Sequence, residues 1–163
     1  MAFTVGIITI SDKGSRGERE DLSGEEIKKL VSPLSASVVA YTIIPDEIPV
    51  IRETLIRFSD DNLDLIITTG GTGLSPRDVT PEATASVIEK EIRGMAEAMR
   101  LASMQKTPFG MLSRGIVGTR KNSLIVNLPG SPKAVRENLE VLLPVIPHTI
   151  EKLQGDPTEC GKT

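Results

Sequence analysis

Three glycines and a threonine follow directly on a short apolar run near the middle of the chain. Gly70, Gly71 and Gly73 surround Thr72. Because glycine has no Cβ, the backbone of such a loop can adopt positive φ angles and approach a ligand closely. Loops of this kind can turn several N–H groups towards one anion. We therefore predict that residues 70–73 bind phosphate.

Charged residues and a helix start follow this loop. Arg77 can form a fork of hydrogen bonds to a phosphate, and Asp78 can hold Mg²⁺ beside it. Thr80 and Pro81 predict an N-cap and the first turn of a helix. The segment matches neither the phosphate-loop pattern that ends in Gly-Lys-Ser/Thr nor the G-x-G-x-x-G pattern of dinucleotide sites. The alternative interpretation is a glycine turn with a surface ion pair.

Strands and helices alternate around this loop. Apolar runs rich in β-branched residues predict strands at residues 3–10, 37–44, 65–69, 116–120 and 123–128. Capping signals predict a helix with a Ser23–Glu26 capping box, helices that open at Pro49 and Pro81, a helix over residues 95–106 after Gly94, and a helix capped at Ser131-Pro132. Residues 11–20 are predicted to form a polar loop.

This alternation predicts an α/β fold, a three-layer α/β/α sandwich with a mostly parallel sheet, because parallel strands need crossover helices. We assign residues 1–155 to one domain and residues 156–163 to a C-terminal tail. Ligands bind such sheets beyond the carboxyl ends of the strands. The polar loops there contain Ser11 with Asp12, Asp46, residues 70–78 and residues 127–130. We expect these four loops to meet.

Composition narrows the class of protein. The 163 residues carry a formal net charge of −3 without a basic tract, so we expect no nucleic-acid partner. Cys160 is the sole cysteine, which excludes an internal disulfide. The sequence shows neither a signal-peptide pattern nor an apolar run long enough to span a membrane. We expect a cytoplasmic protein without a membrane partner.

Several motifs resemble those of the molybdenum-cofactor biosynthesis proteins. The resemblance covers residues 3–154 and lies in TTGGTGLSPRDVTPEAT at residues 68–84, the Ser11-Asp12 step, IPDE at residues 44–47, TPFGMLSRG at residues 107–115 and NLPGSPKA at residues 127–134. The version at residues 76–81 is similar to the molybdopterin adenylyltransferase branch. That branch joins the AMP part of ATP to molybdopterin and releases pyrophosphate, depends on Mg²⁺ and is commonly trimeric.

The resemblance implies a set of site residues. Asp46 and Asp78 match two functionally important aspartates that would hold the metal, and Ser113 matches a serine used near the reacting phosphate. Ser11 and Asp12 fall in the loop that contacts the pterin. The implied nucleotide-binding residues are Gly70, Gly71, Thr72, Gly73, Arg77, Asn127, Pro129 and Gly130. A homotrimer and a molybdenum-insertion partner protein are also implied.

Two other functions stay open at this point. A second branch of the same fold serves molybdate insertion into adenylylated molybdopterin, although its members usually carry extra domains. The chain could also be a non-catalytic molybdopterin-binding or scaffold protein. The presence of Asp46, Asp78 and Ser113 favours the enzyme. For Asp46 the simpler alternative is a residue that precedes the helix at Pro49, and for Ser113 it is an ordinary loop serine.

Overall fold

A six-stranded sheet forms the centre of the molecule. The computed structural model describes residues 2–157; Met1 and residues 158–163, which include Cys160 and most of the predicted tail, lie outside the described residues. The strands are β1 (Phe3–Ile10), β2 (Ala36–Ile44), β3 (Leu65–Thr69), β4 (Lys90–Glu91), β5 (Val117–Arg120) and β6 (Ser123–Leu128). They lie in the order β2-β1-β3-β6-β5-β4.

Four neighbouring strands of this sheet run parallel. β1 pairs with β2 and β3, and β3 pairs with β6, all in parallel register. β5 pairs antiparallel with β6, and β4 pairs antiparallel with β5. Consequently β1, β2, β3 and β6 all end at one edge of the sheet. The predicted α/β class and mostly parallel sheet are confirmed.

Helices cover both faces of the sheet. They are α1 (Asp12–Ser15), α2 (Leu22–Val31), α3 (Ile48–Asp60), α4 (Thr80–Ala85), α5 (Arg93–Met104), α6 (Pro132–Leu142) and α7 (Ile146–Leu153), with 3₁₀ helices at Ser32–Leu34 and Pro108–Leu112. The apolar side chains of α2, α5, α6 and α7 pack on one face, and those of α3 and α4 pack on the other. This arrangement is the predicted three-layer sandwich.

The core is aliphatic because each central strand supplies buried β-branched or leucine side chains to both faces. On β3, Leu65 and Ile67 join one apolar cluster and Ile66 joins the other. All five residues of β3 are buried. A strand covered on both faces is expected to show this continuous apolar run. Because β3 ends at Thr69, the next residue, Gly70, lies at the carboxyl edge of the sheet.

Three local predictions were wrong. The N-cap of α2 is Asp21, which accepts a hydrogen bond from the Gly24 N–H, so the Ser23–Glu26 capping box does not form. α5 starts at Arg93 and includes Gly94, which therefore does not break the helix. The predicted loop at residues 11–20 contains the one-turn helix α1. The short edge strand β4 was not predicted. Among residues 2–157, no helix is long and apolar enough to cross a membrane.

Candidate active site at the carboxyl edge of the sheet

The loops after the parallel strands surround one cavity of about 690 Å³. It includes residues from each of the four predicted loops: Ser11, Asp46, Gly70, Gly71, Asp78 and Gly130. The expected convergence is therefore confirmed. The remaining lining residues are Thr9, Ile10, Gly14, Arg19, Glu20, Asp21, Leu22, Ser23, Thr69, Ser131 and Pro132.

The position of the cavity follows from the topology of the sheet. The chain passes from β1 outward to β2, and then crosses back to β3 on the other side of β1. The loops after β1 and β3 therefore leave the sheet in opposite directions and open a crevice between them, which is where doubly wound sheets bind ligands. Residues from both loops line the cavity.

The first two glycines of the loop are required by the protein itself. Gly70 and Gly71 have φ angles of 100° and 68°. A Cβ on Gly70 would lie 2.3 Å from the Ile10 carbonyl oxygen, and one on Gly71 would lie 2.2 Å from Thr80 Oγ1. The loop thus packs against β1 and α4 at distances that only glycine permits. This close packing brings the backbone of the loop to the wall of the cavity.

Thr80 fixes the loop from inside the protein. Its hydroxyl donates to the Gly70 carbonyl at 2.9 Å, and its N–H donates to the Gly71 carbonyl at 3.1 Å. The predicted N-cap role of Thr80 is wrong, because Thr80 is the first residue of α4, and the N-cap residue, Val79, makes no side-chain capping bond. The buried hydroxyl serves the glycine loop instead.

Asp46 reaches the cavity from the end of β2 and is held by the loop after β1. Its Oδ2 accepts from the Asp12 N–H at 2.9 Å, while its own N–H donates to Asp12 Oδ1 at 3.0 Å. Burial raises the pKa of Asp46, and the negative charges of Asp12 and Asp78 raise it further against the effect of the Asp12 N–H. This environment favours a cation or a proton beside Asp46.

Asp78 belongs to the turn that follows the glycine loop. Its Oδ2 accepts from the Ser75 N–H at 2.9 Å. The same oxygen lies 2.9 Å from the point that a Cβ on Gly73 would occupy. Gly73 therefore leaves the space that the carboxylate needs. Asp46 Oδ1 stands in a similar relation to Gly71, at 3.1 Å, so the two carboxylates flank the glycine loop.

Arg77 and Asp12 form an ion pair across two loops. The Arg77 Nε and Nη2 atoms donate to the two Asp12 carboxylate oxygens at 3.0 and 2.9 Å, and Nη2 also lies 3.4 Å from Glu47 Oε1. This guanidinium lowers the pKa of Asp12. Arg77 was predicted to bind phosphate, but here its donors meet Asp12, and neither residue lines the cavity. The side chain of Arg77 is 55% exposed.

Asn127 is buried beneath the loops. Its amide nitrogen donates to the hydroxyls of Thr68 and Thr84, both at 3.0 Å, and its Oδ1 accepts from the Ile116 N–H at 3.2 Å. The side chain thus connects β3, α4 and the residue that precedes β5. Asn127 does not line the cavity, so direct contact with a nucleotide stays a prediction.

The rest of the loop after β6 joins the cavity through Gly130. The Gly130 carbonyl accepts from the Ser23 hydroxyl at 2.6 Å, and the Pro129 carbonyl accepts from Thr69 Oγ1 at 2.6 Å. Ser11 lines the cavity, but its hydroxyl caps α1 by accepting from the Gly14 N–H at 3.0 Å. Ser113 and Thr72 do not line the cavity.

Residues after α1 also line the cavity, among them Asp21. Asp21 accepts hydrogen bonds from the hydroxyls of Thr9 and Tyr41, with the Thr9 bond at 2.6 Å. The same carboxylate also caps α2 by accepting from the Gly24 N–H, so Asp21 connects β1, β2 and α2. Asp21 is not among the predicted site residues, although the order Asp-Leu-Ser-Gly allows either Asp21 or Ser23 to cap the helix.

Asp46 and Asp78 could bind a magnesium ion only if substrate phosphates and water supply the rest of its coordination shell. Among residues 2–157, no three His, Cys, Asp or Glu side chains gather as a metal site. Two carboxylates with partly open surroundings do suit Mg²⁺, which commonly takes one or two carboxylates and completes its shell with substrate phosphates and water. Asp46 and Asp78 supply that number.

The chain matches the family model described as probable molybdopterin binding domain over residues 6–148. It belongs to this family. A curated relative in Helicobacter pylori strain J99, named molybdopterin adenylyltransferase, is 43% identical over 155 residues, which cover 93% of this chain and 88% of the relative.

Solved structures of relatives share the whole fold. The molybdopterin biosynthesis enzyme MoaB from Thermus thermophilus is 50% identical with a TM-score of 0.90, covering 96% of this chain and 99% of that structure. The molybdopterin biosynthesis Mog protein from Mycobacterium ulcerans is 38% identical with a TM-score of 0.88, covering 93% and 99%.

Proposed function

We propose that this protein is a molybdopterin adenylyltransferase, which transfers AMP from ATP to molybdopterin and releases pyrophosphate. The observation that carries the proposal is the pair Asp46 and Asp78, which flank a glycine loop on the wall of one large cavity. Relatives that carry this name are 36–43% identical over most of the chain. The enzyme interpretation therefore takes precedence over a scaffold.

The chain's own residues account for most of what the reaction needs. Backbone groups of Gly70 and Gly71 would lie against the nucleotide, and the wall formed by Ser11 and residues 19–23 would face the pterin. Thr72 and Gly73 do not line the cavity, so their contact with the nucleotide is proposed only on the resemblance. A cavity of about 690 Å³ lies within the range of about 300–1,000 Å³ that is usual for ligand pockets. Holding both substrates there in one orientation would contribute most of the rate, as in other phosphoryl transfers.

Asp46 and Asp78 would hold Mg²⁺ in this proposal. The ion supplies positive charge where negative charge develops as pyrophosphate leaves. Burial, and after it the negative charges of Asp12 and Asp78, raise the pKa of Asp46, and a cation bound beside this carboxylate would offset both effects. Ser113, Arg77 and Asn127 stay proposed only on the resemblance. Asp12, which the resemblance places near the pterin, is assigned the additional task of holding Asp46.

The test is an AMP-transfer assay. Purified protein, molybdopterin and Mg-ATP should yield adenylylated molybdopterin and one equivalent of pyrophosphate. Molybdopterin binding without pyrophosphate release would instead favour the scaffold. Replacement of ATP by GTP serves as a control for the choice of nucleotide.

We further propose that the protein is a cytoplasmic homotrimer. The self-association surface would be an apolar patch, defined as Leu101, Phe109, Met111 and Leu112, whose exposed fractions range from 46% to 75%. A second copy can cover these side chains, and exposed apolar patches commonly mark such interfaces. Sedimentation equilibrium should give a trimer, and Phe109→Glu should shift it towards monomer. From the resemblance alone, the product would pass to a molybdenum-insertion protein.

A further inference from the structure

Arg114 contacts the glycine loop and the turn that follows it from outside the cavity. It lies between the 3₁₀ helix Pro108–Leu112 and β5. Its N–H donates to the Thr72 carbonyl at 2.9 Å, and its Nε donates to the Gly73 carbonyl at 2.8 Å. Its Nη2 donates to the Asp78 carbonyl at 2.8 Å. One residue thus binds three backbone carbonyls between residues 72 and 78.

These contacts fix more than the carbonyl groups. A trans peptide unit is planar, so each C=O and the N–H of the following residue point in opposite directions. Holding the carbonyls of Thr72 and Gly73 towards Arg114 therefore directs the N–H groups of Gly73 and Leu74 away from it. In the same way, the hydrogen bond to the Asp78 carbonyl fixes the backbone of Asp78, a residue that lines the cavity. Asp78 is then held at both ends, by Ser75 and by Arg114.

The segment that carries Arg114 is itself anchored. Arg100 on α5 donates to the Gly115 carbonyl at 2.9 Å, and its Nη1 also lies 3.5 Å from the Ser113 carbonyl. On the far side, Arg114 Nη1 forms an ion pair with Glu82 of α4. The guanidinium is therefore fixed between α5 and α4 before any ligand binds.

We propose that Arg114 is a positioning residue, which holds the glycine loop and Asp78 in the geometry required for AMP transfer. The inference rests on the proposed function for its effect on turnover. The predicted effect on the conformation of the glycine loop does not depend on the proposed function. The geometry requires arginine, because a planar guanidinium presents several donors in fixed directions, whereas a lysine ammonium acts as a single point charge.

The experiment compares three variants. Arg114→Ala removes all side-chain contacts, and Arg114→Lys keeps the charge but not the fork. Glu82→Gln is the matched control, since it removes the ion pair and leaves the three carbonyl contacts in place. The readouts are amide hydrogen exchange of residues 70–79, kcat and KM for both substrates, and circular dichroism.

We expect both Arg114 variants to exchange residues 70–79 faster and to lose at least about tenfold in kcat, since small misplacements of reacting groups carry large rate costs. The KM for molybdopterin should stay within about twofold in the same variants, because the proposed pterin wall is formed by other loops. Glu82→Gln should behave like the wild type. If Arg114→Ala does not fold, Arg114→Lys carries the test.

Wild-type hydrogen exchange in the folded Arg114 variants would overturn the inference. So would full activity in Arg114→Lys, or an equal loss in Glu82→Gln, which would assign the effect to the ion pair. A wild-type protein that transfers no AMP would defeat the proposed function instead. The hydrogen-exchange comparison would still decide the role of Arg114.

Discussion

Asp46 and Asp78 flank the same glycine loop, but they are held there in different ways. Asp78 is fixed by its own turn, through the N–H of Ser75 three residues earlier. Asp46 is fixed across the sheet by reciprocal hydrogen bonds with Asp12, which is 34 residues away in the sequence. The first support forms with the loop, whereas the second exists only once β1 and β2 are paired.

The electrostatic settings of the two aspartates also differ. Asp46 is partly buried beside two other carboxylates, and its pKa is raised. Asp78 has its carbonyl bound by the Arg114 guanidinium. If these carboxylates hold the proposed Mg²⁺, we expect the charge of Asp46 to depend more on the cation and the position of Asp78 to depend more on the conformation of its loop. The following predictions separate these two kinds of dependence.

The largest effect is expected from removing either negative charge. Asp78→Asn and Asp46→Asn should each lower single-turnover formation of adenylylated molybdopterin at least about 10²-fold, the scale found for one preorganised contact to a developing charge. If both hold one ion, the double variant should lose less than the product of the single losses. Molybdopterin binding, followed by fluorescence, should persist. Near-wild-type turnover of Asp78→Asn would indicate that this segment is an ordinary glycine turn without a catalytic role and would favour the scaffold interpretation.

Replacing the two glycines beside these carboxylates should have different effects, a loss of stability at Gly71 and a loss of turnover at Gly73. Gly71→Ala introduces a Cβ at positive φ and 2.2 Å from Thr80 Oγ1, so it should destabilise the fold by about 1–3 kcal/mol. Gly73→Ala meets only the Asp78 carboxylate, at 2.9 Å, and this side chain can rotate away by giving up its hydrogen bond from the Ser75 N–H. It should keep its stability and still lose at least about tenfold in turnover by displacing that group. Urea denaturation and the transfer assay measure the two effects. Equal stability losses would contradict the distinction.

A smaller effect is expected at the ion pair behind Asp46. Arg77→Ala removes two hydrogen bonds to Asp12 and leaves Asp12 less firmly placed against Asp46. Because ion pairs between exposed side chains contribute little, turnover should fall less than about tenfold. Arg93→Ala, which breaks the exposed pair with Glu91 on the edge strand β4, is the control and should have no effect. A loss as large as that of Asp46→Asn would instead support the predicted contact between Arg77 and phosphate.

The smallest effect concerns stability and pH. A carboxyl group whose pKa is raised by folding favours the folded state while protonated, and that contribution is lost as the pH rises through its folded pKa. Without Mg²⁺, Asp46→Asn should therefore have a higher Tm than the wild type near neutral pH. The difference should shrink as the pH falls to about 4, near the usual carboxyl pKa. Thermal unfolding by circular dichroism measures it. A lower Tm for Asp46→Asn at neutral pH would argue against electrostatic strain at this site.

The apolar pattern of the sequence was sufficient to predict most of the sheet. The strands at residues 3–10 and 65–69 have the predicted bounds, because a strand buried on both faces must be apolar throughout. The polar residues at strand ends then had to share one edge of a parallel sheet, which predicted the position of the cavity. Family motifs selected Asp46 and Asp78, for which residue type alone left simpler alternatives.

Only the tertiary structure determined which partners the polar side chains take. Asn127 bonds to Thr68 and Thr84, and Arg77 bonds to Asp12, although each residue type suits a ligand equally well. Asp21 rather than Ser23 caps α2, since the Ser23 hydroxyl binds the carbonyl of Gly130, 107 residues away. Arg114 carries no local signal, because its three carbonyl partners lie about 40 residues earlier. Hydrogen bonds depend on distance and direction, which a linear pattern of residue types does not contain.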